Sequence, residues 1–279
     1  MTGRLEGRVV LITGSTGIAA STAESAAAEG AAVFVVSRDG GHARALAERL
    51  PDAGWAAGDL RDEPAVDGAV SAAVERFGRI DALFSAAGGS GRPFGDGPIH
   101  AMTGDAWDRT LALNLRSHAL VASRVIRVMR DQPLGDDGSR GSILFLGTVL
   151  ATHPVPEYFA THAYAAAKGG LISLMTTMAA TYIAEAVRVN LLLPGLTETP
   201  MSARAAGDPG IVEYTARKQP LAGGLLDPDD IARAALFFLS PESRAVTGQS
   251  LAVDGGWSIV STSAIDPSAA EGSAAEPTA

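Results

Sequence analysis

Arg8-Val9-Val10-Leu11-Ile12-Thr13-Gly14-Ser15-Thr16-Gly17-Ile18-Ala19-Ala20 is the stretch whose reading decides the fold. Its short β-branched run, Arg8 to Ile12, predicts a strand; the two glycines predict a turn; the alanine-rich run to Glu29 predicts a helix. A second apolar run, Ala32 to Val36, completes a βαβ unit. The alternation recurs with strands expected at Trp55 to Gly58, Ala82 to Ser85, Ser142 to Leu146, Val187 to Leu193 and Ser250 to Val253. Helices are expected at Glu63 to Phe77, Asp105 to Met129, Ala163 to Ala186 and Pro228 to Leu239. Continuous apolar strands belong to a parallel sheet covered on both faces, so the fold class is α/β, a doubly wound parallel sheet (Rossmann-like) in a single domain. That domain is expected over 1–260, with a tail over 261–279, rich in Ala, Ser, Glu and Pro, that has too few large apolar residues to order itself.

Composition narrows the function classes. The 279 residues are 47% hydrophobic and carry a formal net charge of −9, which disfavours a nucleic-acid surface because phosphate neutralisation needs clustered Lys and Arg. There are no cysteines, and His42, His100, His118, His153 and His162 show no paired metal-ligand spacing, so no metal is expected. The apolar run ending at Thr13 is too short for a signal peptide or a membrane span, and a soluble cytoplasmic protein without a membrane partner is expected.

Only two lysines occur, Lys168 and Lys218, and the first stands four residues after Tyr164. On a helix that spacing puts both side chains on one face. An ammonium beside a phenol favours the phenolate and draws its pKa down from about 10 toward neutrality, which makes tyrosine usable as an acid or base. An exposed helix with a Tyr and a Lys on one side would give the same spacing. The turn Thr13 to Ala19 offers backbone N–H groups to a pyrophosphate at a helix N-terminus, although an ordinary strand-to-helix loop has the same composition.

Taken in order, these elements resemble the short-chain dehydrogenase/reductase family, in its single-domain ketoreductase-type branch. The resemblance runs through Thr13 to Ala19, Asp59, Ser85 to Gly88, Asn114, Thr148, Tyr164 with Lys168, Pro194-Gly195 and Asp254-Gly255-Gly256. It implies reversible hydride transfer between a nicotinamide and a carbonyl or secondary alcohol. In that scheme Tyr164 exchanges the proton, Lys168 lowers its pKa and bonds the nicotinamide ribose, Thr148 bonds the substrate oxygen, and Asn114 holds a water that links Lys168 to solvent. Gly14, Ser15, Thr16, Gly17 and Ile18 would cradle the pyrophosphate; Asp59 and Leu60 would contact the adenine; Ala86, Ala87 and Gly88 would lie along the cofactor. Pro194, Gly195, Leu196, Thr197 and Thr199 would face the nicotinamide end. Ser37 followed by Arg38, where NAD enzymes of this architecture carry an acid for the ribose hydroxyls, favours NADP(H), and neighbouring Asp39 leaves NAD(H) open.

The chain also departs from the family's pattern. Gly14 and Gly17 are separated by two residues where three are usual, Ala19 replaces the third glycine, Ser85-Ala86 replaces two asparagines, and Thr148 replaces the serine. Thr148 stands sixteen residues before Tyr164, a few more than the family spacing, which marks His153 to Phe159 as an insertion beside the site. Its aromatics either line a pocket or pack the loop. The substrate loop is expected at about 196–226, where Met201, Ile211, Val212, Tyr214, Leu221 and Leu225 suggest an apolar lid and a small, partly apolar substrate. The helices around Asn114 and Lys168 resemble those the family uses to form dimers and tetramers, so a homo-oligomer is expected, with a homotetramer as one form. The alternative from another class is a non-catalytic NAD(P)-binding regulatory or scaffold protein, to which the shortened turn would be no obstacle.

Overall fold

Six strands form within one residue of the expected apolar runs, because a β-branched segment that is apolar on both faces is stable when both are covered, whereas the strand expected at Trp55 to Gly58 runs over Ala53–Ala57 at a less buried edge of the sheet. The computed structural model describes residues 3–261. The predicted tail, apart from Ser261, lies outside them. Seven strands, β1 (Val9–Thr13), β2 (Ala32–Ser37), β3 (Ala53–Ala57), β4 (Ala82–Ser85), β5 (Gly141–Leu146), β6 (Val187–Pro194) and β7 (Ser250–Val253), make one sheet in the order β3-β2-β1-β4-β5-β6-β7. Every pairing is parallel. All strand C-termini therefore lie along one edge, and the chain order reverses between β1 and β4.

Helices cover both faces. Helix α1 (Ile18–Ala28), α2 (Gly40–Ala47) and α10 (Pro228–Leu239) pack on one side, over Val10, Ile12, Val33, Val35 and Phe84. On the other side α3 (Glu63–Phe77), α5 (Ser117–Asp131) and α7 (His162–Tyr182) cover Leu11, Phe34, Leu83, Ile143 and Phe145. Helix α2 was not legible in the sequence because Gly40-Gly41 reads as a turn; Asp39 nucleates it by accepting a hydrogen bond from His42 N at 3.0 Å. The expected Asp105 to Met129 helix is three pieces: α4 (Gly104–Leu111), a π turn (Ala112–Arg116) and α5. The substrate-loop region folds into α8 (Ala203–Ala206) and α9 (Pro209–Lys218), and the expected insertion contains a single turn, α6 (Pro156–Phe159).

Helix α7 and its 3-10 extension end at Ala186, the one described non-glycine residue with a positive φ, 58°. A Cβ in this left-handed conformation costs about 1–2 kcal/mol, part of which glycine would return as unfolded-state entropy. Ala186→Gly is expected to raise stability by about 0.5–1 kcal/mol, read as a higher urea midpoint at an unchanged slope.

Candidate active site

The site begins where β1 stops. Thr13 is buried, and its Oγ1 accepts hydrogen bonds from Ala86 N at 2.9 Å and Ala87 N at 3.0 Å, which ties the ends of β1 and β4 together at the reversal point. Gly14 and Gly17 then turn the chain through positive φ, 100° and 54°. A Cβ on Gly14 would lie 3.0 Å from the Ala19 side chain, and one on Gly17 would lie 2.8 Å from Thr199 Cγ2. The shortened turn thus closes tightly, and Ala19 fits because Gly14 opposite it carries no side chain. Helix α1 starts with no side-chain cap and no acidic residue in its first turn, so its leading N–H groups are offered to an anion. Glycine clearance, uncapped helix end and strand-end position together fit the pyrophosphate of a dinucleotide.

A cleft of about 270 Å³ opens over this point. Of the residues expected from the sequence, Gly14, Ser15, Thr16, Ile18, Ala86, Ala87, Gly88, Asn114, Thr148, Tyr164, Lys168, Pro194, Gly195, Leu196, Thr197 and Thr199 line it. Gly17 backs the turn against Thr199. Ser37, Arg38, Asp59 and Leu60 are not in the cleft wall but follow the ends of β2 and β3, and Ser15 Oγ donates to Ser37 Oγ at 3.0 Å, linking the turn to that region. Arg38 is exposed and, among the described residues, has no ion-pair partner, while the Asp39 carboxylate is turned away to cap α2. Asp59 is clasped by Arg61 Nε at 2.9 and 3.1 Å, and these hydrogen bonds hold its pKa down to about 2.

Tyr164 and Lys168 stand one turn apart on α7, and their N-terminal anchor is Asp96, whose carboxylate accepts from Ala163 N and Tyr164 N, both at 3.0 Å. The Lys168 ammonium is buried; it donates to Leu146 O at 2.7 Å and lies 3.5 Å from His118 Nε2. His118 Nδ1 is in turn 2.7 Å from Ser85 Oγ. With Nε2 accepting from the ammonium, the ring proton sits on Nδ1 and is donated to Ser85. Burial, and then the charge of Lys168, hold the His118 pKa well below its ordinary value, so the imidazole is neutral.

The expected pairing of charge and phenol is not what the fold builds. Lys168 Nζ lies 6.0 Å from the centroid of the Tyr164 ring, and burial dominates both groups. It pushes the phenol up to about 12 and the lysine down to about 7. Asn114 sits in the π turn with its side-chain amide already used: Oδ1 accepts from Gly89 N at 3.0 Å and Nδ2 donates to Thr110 O at 3.1 Å. Thr148 is buried at the cleft wall, where its hydroxyl accepts from Leu150 N at 3.3 Å.

The aromatics of the expected insertion divide their work. Phe159 lines the cleft, whereas Tyr158 packs on Tyr214 with ring centroids 5.1 Å apart, and Trp257 bridges Phe159 and Tyr214. The expected apolar lid is only partly formed. Met201 alone of its six residues lines the cleft; Ile211 is buried under α9, and Leu221 faces solvent at 90% exposure. A helix pair was not foreseen there, and it sends alternate apolar residues inward and outward. Asp96, His118, Arg92, Arg204 and Trp257 were missed because each comes from a loop or helix distant in sequence and belongs to no local pattern. Among the described residues no group of His, Asp or Glu could hold a metal, and no helix is long and apolar enough to cross a membrane.

A family model described as enoyl-(acyl carrier protein) reductase matches residues 12–258. The chain belongs to the short-chain dehydrogenase/reductase family. It is 33% identical over 243 residues, 85% of this chain and all of the relative, to a Xanthobacter autotrophicus protein named as an inactive 2-(S)-hydroxypropyl-CoM dehydrogenase. It is 34% identical over 259 residues, 91% of this chain and 97% of the relative, to cis-4-hydroxycyclohexanecarboxylate dehydrogenase of Sinomonas cyclohexanicum. A solved 3-ketoacyl-(acyl-carrier-protein) reductase from Brucella melitensis, complexed with NADH, superposes with a TM-score of 0.82 at 31% identity, covering 91% of this chain and 100% of that one. As a short-chain dehydrogenase/reductase the protein is an NAD(P)-dependent oxidoreductase. The non-catalytic alternative gains nothing from the site, which keeps phenol, ammonium and hydroxyl around one cleft.

Burial of Lys168 carries a pH signature. Its folded pKa, about 7, lies below the ordinary 10.5, so between those values the unfolded chain binds the extra proton and stability rises with pH. In the cofactor-free protein the urea midpoint is expected to climb from pH 7 to 9.5, and Lys168→Met is expected to flatten that climb.

Proposed function

We propose that this enzyme transfers hydride between NADP(H) and the carbonyl or secondary alcohol of a small, partly apolar substrate. The observation that carries the reading is the arrival of Tyr164 and Lys168, from one helix, in the same cleft as Thr148, Asn114 and the uncapped start of α1. The name of one relative, cis-4-hydroxycyclohexanecarboxylate dehydrogenase, specifies a hydroxylated substrate, in keeping with alcohol and carbonyl chemistry. The nicotinamide, when bound, supplies or accepts the hydride.

The chain's own groups handle the proton and the geometry. Tyr164, neutral across the ordinary pH range because its pKa is raised to about 12, is an acid able to protonate an alkoxide as it forms. Thr148 holds the same oxygen by its hydroxyl, and its extra methyl group fixes the rotamer. Lys168 spends two of its three donors on Leu146 O and His118, which leaves one for a ribose hydroxyl. Asn114, its side-chain amide occupied, would serve a bound water through the backbone of the π turn, a distortion that recurs at functional sites. Gly14 to Ile18 hold the pyrophosphate; Ala86 to Gly88 and Pro194 to Thr199 line the remainder of the cofactor's path; Asp59 and Leu60 flank the adenine. Ser37 and exposed Arg38, with Asp39 committed to α2, suit a 2′-phosphate. Residues 196–226 form the substrate loop within the 1–260 domain.

The same reading includes a homo-oligomer, dimer or tetramer, built on the outer faces of α5 and α7, where Ser173, Thr176 and Thr177 are exposed. A cytoplasmic location is part of the same reading.

Three measurements check this. Tyr164→Phe is expected to lower kcat by about 10²–10⁴-fold while the NADPH dissociation constant stays within twofold; appreciable residual turnover would assign the proton to another group. Arg38→Ala is expected to weaken NADPH binding about tenfold or more and to leave NADH binding unchanged, and an equal loss for both would return the choice to NAD(H). A monomer mass in solution at micromolar concentration would contradict the oligomer.

A further inference from the structure

Two guanidinium groups line the cleft that holds Tyr164 and Thr148. Arg92 belongs to the 3-10 turn Arg92–Phe94 beyond β4, and Arg204 belongs to α8 in the substrate loop. In this acidic chain most arginines are neutralised by a carboxylate, and Arg8 and Arg124 by two each. Arg92 and Arg204 line the cleft without an ion-pair partner among the described residues. Arg92 donates to the backbone carbonyl of Tyr158 at 3.1 Å, an acceptor that neutralises nothing. The carboxylate whose charge reaches Arg92 is Asp96, and both of its oxygens are already engaged by the backbone N–H groups that start α7.

The two cations also act on each other. Both side chains are exposed, and desolvation first, then the charge of Arg204, lower the pKa of Arg92. Two like charges lining one cleft without an ion-pair partner suit an anionic ligand, and guanidinium forks match the oxygens of a carboxylate, sulfonate or phosphate. The same cleft is also lined by the apolar side chains of Leu150, Phe159, Met201 and Trp257.

We infer that the substrate is a keto or hydroxy compound bearing an oxyanion, held by Arg92 and Arg204 while an apolar body carries its reacting carbon to Tyr164. This rests on the hydride-transfer reading and specifies its substrate class. The other source of oxyanions at this cleft is the cofactor, whose phosphates Arg204 would meet if it turned toward Thr199 and the glycine turn, and the experiment separates the two.

The test uses matched probes with the intact protein and NADPH or NADH: 4-oxocyclohexanecarboxylate and 4-oxopentanoate, each beside its carboxamide, and 4-oxopentane-1-sulfonate beside 2-pentanone. The expected result is a kcat/KM ratio of anion to neutral partner of about tenfold, carried by KM and shrinking as salt is raised. In Arg92→Gln/Arg204→Gln the ratio should fall to near unity, each single variant should lose part of it, and NADPH affinity by fluorescence should stay within twofold. Arg233→Gln, on the exposed side of α10, should keep the ratio. A wild-type enzyme that reduces the neutral probes as well as the anions overturns the inference and leaves hydride transfer standing. An unchanged ratio in the double variant overturns it too, and a weaker NADPH affinity with that result assigns the guanidiniums to the cofactor. Failure of every probe with both cofactors removes the hydride-transfer reading and this inference with it.

Discussion

The cleft depends on one hydroxyl. Thr13 Oγ1 accepts from two successive backbone N–H groups, Ala86 and Ala87, at the point where β1 and β4 end side by side. An acceptor placed there satisfies donors that the sheet can no longer pair, so the chain can leave the sheet on both strands without stranding buried polar groups. From that point the glycine turn runs to α1 on one side and Ala87 to Gly89 run past Asn114 on the other. Were the hydroxyl absent, two buried donors would lose their partner and the floor of the site would lose its alignment.

Burial governs the chemistry above that floor. Tyr164 and Lys168 are set on one face of α7 by their spacing, yet what the packing gives them is desolvation, which moves the phenol up and the ammonium down. A lysine near neutrality and a fully protonated tyrosine are suited to holding and donating protons. The contact behind Lys168 is a neutral histidine oriented by Ser85, the residue that stands where the family's pattern has an asparagine. At that position Ser85 and His118 make a polar contact chain that ends at the lysine.

The shortened glycine turn is the second departure with a structural answer. Ala19 packs against Gly14, where an added Cβ would lie 3.0 Å from the Ala19 side chain. The threonine at 148 and the insertion around Tyr158 change the shape of the substrate end and leave the cofactor end as it is. Phe159, Trp257, Arg92 and Arg204 all line the cleft, which thus combines apolar and cationic side chains.

The sequence by itself determined the βαβ order, the parallel sheet, the turn and the Tyr164–Lys168 face, because each rests on periodicity or spacing within a few residues. Asn114 and Thr148 came from the resemblance to the short-chain dehydrogenase/reductase family, carried by the order of its motifs, which could not show that the Asn114 amide is used internally in a π turn. Tertiary structure alone decided the rest. Asp96 meets Tyr164 across 68 positions and His118 meets Lys168 across 50, pairings that no local pattern encodes. Whether the lowering effect of an ammonium on a neighbouring phenol outweighs the raising effect of burial depends on distance and desolvation, quantities that exist only once the helices have closed over the sheet.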